Sequence, residues 1–213
     1  MWKRGWAYLI EIISSVITNV LIALYQPFWF ALTLTVFMMF FYLYAYQPIN
    51  TGRGCKTAFK ALKSELKKSS ECRLRFLLIF VTVMMLFRTL LNRTVWANPV
   101  SDIMGGWWIW TTDSKGNLKL TTECFENILL MLPFIFLLFW SEHKKILKSI
   151  TFRYIATLAA RISFSFSLSI EILQLLFRLG TFQFSDIFYN TVGGILGGII
   201  FWICLKTKII KFK

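Results

Sequence analysis

The sequence predicts an all-α integral membrane protein: a polytopic bundle of about six transmembrane helices with both termini in the cytoplasm. Three observations carry this. Of the 213 residues, 57% are hydrophobic and the mean hydropathy is +0.62, where a soluble domain is nearer half apolar. Apolar runs of spanning length recur along the chain. Lysine and arginine gather in alternate loops.

The apolar runs fall at about 7–25, 27–46, 76–92, 125–140, 154–178 and 186–205. The first follows Met1-Trp2-Lys3-Arg4 and superficially resembles a signal peptide. Glu11 interrupts it and no small-x-small cleavage site follows, so a retained helix is expected. Only Gln26 and Pro27 separate the first two runs. A helical hairpin is expected there, because backbone inside lipid must be helical or buried in protein.

The formal net charge is +14. With so apolar a chain, the basic residues are expected to face anionic lipid headgroups rather than nucleic acid. The N-terminus carries Lys3 and Arg4, the loop 47–75 eight basic residues, the loop 141–153 four and the tail 206–213 four. These eighteen lie on one side. The opposite loops hold only Arg93, Lys115 and Lys119. That bias places both termini inside.

In the loop 47–75, Phe59, Leu62 and Leu66 fall at i, i+3, i+7 among lysines. A short helix on the inner leaflet is expected, with a solvated basic loop as the alternative. The outer loop 93–124 contains Trp96, Trp107, Trp108 and Trp110. Indoles favour the headgroup region, so the loop is expected to fold back onto the membrane. Asn98-Pro99, Gly105-Gly106 and Lys115-Gly116-Asn117 mark its turns.

Charges within the spans are the most informative feature, since charge at mid-bilayer is costly. Glu171, Gln174 and Arg178 share one face of the fifth span. Asp186 and Asn190 share one face of the sixth, followed by Gly193, Gly194, Gly197 and Gly198 in overlapping GxxxG spacings for close helix packing. The predicted direction of each span puts these residues near the outer side. Arg88 ends the third span there, and Glu126 and Asn127 begin the fourth, which Pro133 is expected to bend. A polar pocket formed by these groups is the functional reading. Structural ion pairs, Glu171–Arg178 and Asp186–Arg88, are the competing one. The cysteines form no CxxC pair and the only histidine is His143, so no metal is expected. No cofactor is expected either.

The stretch SLSIEILQLLFRLGTFQFSDIFYNTVGGILGG, residues 167–198, resembles the signature of VanZ-like membrane proteins. Its matching positions are Glu171, Gln174, Arg178, Asp186, Asn190, Gly193, Gly194 and Gly197. ENILLMLPF, residues 126–134, is similar to the family's N-x5-P helix through Asn127 and Pro133, and FRTLLNR, with Arg88 and Arg93, to its arginine-bearing helix. Ile135 departs from the glycine the family often carries two residues after that proline. The resemblance covers about 76–205. It divides the chain into residues 1–75, a helical hairpin plus basic cytoplasmic loop, and 76–213, a VanZ-like four-helix membrane domain. It implies a multi-pass protein of the bacterial cytoplasmic membrane with an envelope-related function. The family's founding member is associated with low-level teicoplanin resistance in Gram-positive bacteria. The expected partner is therefore a lipoglycopeptide or a lipid-linked envelope precursor, with Arg88 and Arg178 holding phosphate or carboxylate groups. Alternatives are an enzyme or carrier acting on such a precursor, with Glu171 or Asp186 as key carboxylates, and a structural bundle binding another protein through its glycine faces.

Overall fold

The computed structural model describes residues 2–46, 54–112 and 118–209. The expected turn at Lys115-Gly116-Asn117 lies outside the described residues. Among the described residues there are six α-helices and one short strand pair. The helices are α1 (Trp2–Phe41), α2 (Cys55–Lys68), α3 (Ser70–Leu86), α4 (Glu123–Ile146), α5 (Phe152–Phe177) and α6 (Phe184–Lys206). Short π-helical segments, Tyr42–Tyr46 and Phe87–Leu91, extend α1 and α3. Strands β1 (Trp110–Thr112) and β2 (Leu118–Leu120) pair antiparallel in the loop before α4. Five helical stretches are long and apolar enough to cross a membrane, so the chain is an all-α polytopic membrane protein.

The hairpin expected at Gln26–Pro27 does not form. α1 continues through Pro27, making one candidate span, Ile10–Tyr44, where two were expected. Proline is tolerated inside membrane helices because neighbouring groups compensate for the lost backbone bond. Pro27 is fully buried, and Gln26 next to it accepts a hydrogen bond from Asn92 Nδ2 at 3.0 Å. Forty residues of helix measure about 60 Å, roughly twice a hydrocarbon core. The part beside the bundle runs from Asn19, which bonds Thr122 ahead of α4, to Met39 and Leu43, which pack with Leu62 and Cys72. One traverse in place of two also removes the hairpin basis for a cytoplasmic N-terminus.

The bundle has two chemically different ends. At the basic end, α2 lies against α1 and α3. Leu62 is buried, and Phe59 stacks edge-on against Phe40 at 5.1 Å. Within the apolar stripe of α2, Leu62 is thus covered by protein and Phe59 stays 55% exposed, while Lys56, Lys60, Lys63 and Lys67 are exposed on the helix surface. Ser69 caps α3, its hydroxyl accepting the Cys72 N–H at 3.1 Å. Arg75 of α3 joins Glu142 of α4 at 3.3 Å, and Lys145 joins Glu142 at 2.8 Å. Glu142 is also the residue inside α4 with non-helical torsions. The backbone break in α4 is thus there, and torsions stay helical through Pro133.

α6 is wedged between α4 and α5 by its glycines. A methyl group on Gly193 would stand 2.8 Å from the Ile128 Cα, and one on Gly197 3.2 Å from the Leu132 carbonyl carbon, both on α4. On the other side, Gly194 would meet Ser163 Cβ at 2.6 Å and Gly198 would meet Ala159 Cβ at 2.8 Å, both on α5. The GxxxG faces are occupied by the chain's own helices, so they are not free to receive another protein. Below them Phe139, Ile155, Ala159 and Phe201 form the fully buried core.

Candidate functional site

At the tryptophan-rich end the loop 92–122 docks on the turn between α5 and α6. Backbone bonds run from Trp96 N–H to Arg178 C=O (2.9 Å), Phe182 N–H to Pro99 C=O (2.8 Å) and Phe184 N–H to Ile103 C=O (2.9 Å). Val100 N–H bonds Asn98 Oδ1 at 3.3 Å, which makes the expected turn at Asn98-Pro99. Tyr189 of α6 donates its hydroxyl to the Trp107 carbonyl at 2.6 Å. The loop is thereby tied to protein, with Trp96, Trp107, Trp108 and Trp110 exposed on its surface.

Beneath the loop lies a cavity of about 490 Å³. Five of the nine expected site residues line it: Arg88, Arg93, Glu126, Asn127 and Asp186. Arg88 is placed by the π-helical segment ending α3, whose wider turn breaks the α-helical spacing of its side chains. Its guanidinium pairs with Glu126 on the first turn of α4. That carboxylate, 9% exposed, also accepts the Thr122 hydroxyl at 2.6 Å. Thr122 in turn accepts from Asn19 Nδ2 of α1 at 2.6 Å. Asn127, one residue on, donates to Asp186 Oδ1 at 2.7 Å and so joins α4 to α6 across the cavity wall. The expected pair Asp186–Arg88 is absent, because Glu126 takes the arginine.

The other four expected residues do not line the cavity. Glu171 is 2% exposed and accepts the Gln183 backbone N–H at 2.9 Å, fastening the α5–α6 turn. Gln174 Nε2 donates to the Thr89 carbonyl at 2.7 Å, binding α5 to the π-helical segment. Asn190 Nδ2 donates to Ser167 Oγ at 2.9 Å within the α5–α6 contact. These three polar groups fasten elements together. Arg178 ends α5 in the left-handed region (φ 54°) with an exposed side chain. The expected Glu171–Arg178 pair is therefore not made. That excursion from the helix turns Arg178 off the face it would share with Glu171.

Several lining residues carry no periodic signal: Thr89, Asn92, Trp96, Ser101, Asp102, Glu123, Thr181 and Gln183. Asp102 is held by the loop itself, accepting from Gly105 N–H at 3.2 Å and from Gln183 Nε2 at 3.2 Å. Gly105, at φ 70°, has no room for a side chain because Ser185 packs against it. Among the described residues no group of three His, Cys, Asp or Glu side chains is close enough to hold a metal ion.

No curated protein and no solved structure matches the chain. A family model described as VanZ/LLP1 matches residues 28–205, from within α1 to the last turn of α6. The match begins well before residue 76, where the resemblance was expected to start. Over most of its length, and across every helix that frames the cavity, the chain belongs to the VanZ/LLP1 family.

Proposed function

We propose that this VanZ-like membrane protein reduces susceptibility to teicoplanin-type lipoglycopeptides by engaging an amphiphile's polar head in the cavity at its tryptophan-rich end. In this reading that end faces outward from the bacterial cytoplasmic membrane. The bias of lysine and arginine toward the other end supports the orientation. The observation that carries the reading is the cavity itself: polar, charged and lined in part by the exposed Trp96, in a loop whose other exposed tryptophans suit a headgroup region. Anionic lipids would then contact the exposed lysines of α2 at the opposite end.

An acid–base role for Glu171 gains no support from its surroundings, since its carboxylate is bonded to backbone and is not among the cavity's lining groups. The direct test is expression in a susceptible Gram-positive host. The minimum inhibitory concentration of teicoplanin should rise while that of vancomycin, which lacks the acyl chain, stays unchanged. Equal teicoplanin values with and without the protein would overturn the reading.

A further inference from the structure

We infer that the cavity takes a zwitterionic head, a primary ammonium a few bonds from a phosphate or carboxylate. This rests on the cavity being the ligand site, and it names the ligand's charge pattern. The first observation is one of sign. The chain carries a formal charge of +14. Its cavity is lined instead by four carboxylates, Asp102, Glu123, Glu126 and Asp186, and only two guanidinium groups, Arg88 and Arg93.

The second observation is how those charges are paired. Arg88 and Glu126 satisfy each other. Asp102, Glu123, Asp186 and Arg93 have no ion-pair partner within 4.0 Å among the described residues. Asp186 accepts one amide hydrogen from Asn127 and Asp102 accepts two hydrogen bonds. A carboxylate has about four lone-pair sites, so each keeps accepting capacity.

Candidate ligands can be sorted against that arrangement. A simple anion would meet one arginine and three carboxylates that have no ion-pair partner among the described residues, and like charges repel. Among the described residues a bound metal ion would find no close set of three ligands. An ammonium brings three donors to the carboxylate side. An anionic group on the same molecule then meets Arg93. Trp96, also in the lining, is an aromatic side chain of the kind that attracts cations.

The test uses the purified full-length protein in nanodiscs and three soluble probes, with binding read by calorimetry. The probes are dihexanoyl phosphatidylethanolamine, dihexanoyl phosphatidylglycerol and glycylglycine. The ethanolamine lipid should bind about tenfold more tightly than the glycerol lipid, as charge complementarity requires. Asp186→Asn should erase that preference, and Glu123→Gln, on an exposed residue, should weaken it should Asp186→Asn fail to fold. Arg93→Ala should weaken both phospholipids. Glycylglycine binding as tight as the ethanolamine lipid would place the zwitterion on a peptide rather than a lipid head. Equal or tighter binding of the glycerol lipid, no binding of any probe, or an unchanged preference in the folded variants would overturn the inference. Probe binding without protection against teicoplanin would sink the antibiotic reading and leave the zwitterion site standing. Protection without binding would do the reverse.

Discussion

Replacing Gly194 by valine is expected to leave almost no folded protein. Even the first carbon of a side chain there would stand 2.6 Å from Ser163 Cβ, well inside van der Waals contact. Valine adds two more carbons. On its other side α6 cannot retreat, because Gly193 and Gly197 already rest on the backbone of α4 at Ile128 and Leu132. Overpacking commonly costs about 1–3 kcal/mol. The effect should be larger here, since helices in lipid associate through close packing rather than through exclusion of water. The measurement is the fraction eluting as a single species in mild detergent, with its thermal midpoint. Leu196→Ala on the exposed face of the same helix is the control and should behave as wild type. A valine variant with a midpoint within about 2 °C of wild type, under 1 kcal/mol for a chain of this size, would contradict the packing account.

Arg88→Ala is expected to abolish protection and to destabilise the protein by about 3 kcal/mol, because it strands the Glu126 carboxylate in a nearly buried site. Thr122 alone would then support that charge. The two losses separate in the double variant Arg88→Ala/Glu126→Ala. Removing both partners should recover most of the thermal stability, since neither charge is left uncompensated. Protection should not return, because the cavity wall they form is gone. A double variant as unstable as Arg88→Ala would contradict the pairing. One that protects cells fully would show that the wall is dispensable.

Much of this fold is legible in the sequence because bilayer physics is simple. The spans α3 to α6 follow from apolar runs near 20 residues long, and their polar faces from the spacing of Glu171, Gln174, Asp186 and Asn190. The expected double crossing before residue 46 does not appear because Gln26-Pro27 reads as a turn in water. Inside a membrane bundle the proline is buried within a continuous helix instead.

Periodicity identified residues on interior faces but not their partners. Glu171, Gln174 and Asn190 answer to a backbone N–H, a backbone carbonyl and a serine hydroxyl. None of those three partners carries a charge that would flag it in a sequence. Arg178 was expected at a helical i+7 position, yet the helix ends at Phe177. Asp102, Glu123 and Gln183 reach the cavity through a non-periodic loop and two helix starts. Their only hints are the turn at Gly105 and the carboxylates at the start of α4.

Sidedness is the most direct test of the central claim that the cavity opens to the outside of the cell. A new cysteine can be placed at Ser101, an exposed residue lining the cavity, in a chain carrying Cys55→Ser and Cys204→Ser. Cys72 and Cys124, which remain, are buried. A membrane-impermeant maleimide should label Ser101→Cys in intact cells. In the otherwise native chain it should reach the exposed Cys55 of the basic end only after permeabilisation. Labelling of Cys55 in intact cells, with Ser101→Cys protected until the membrane is opened, would invert the protein and contradict the account.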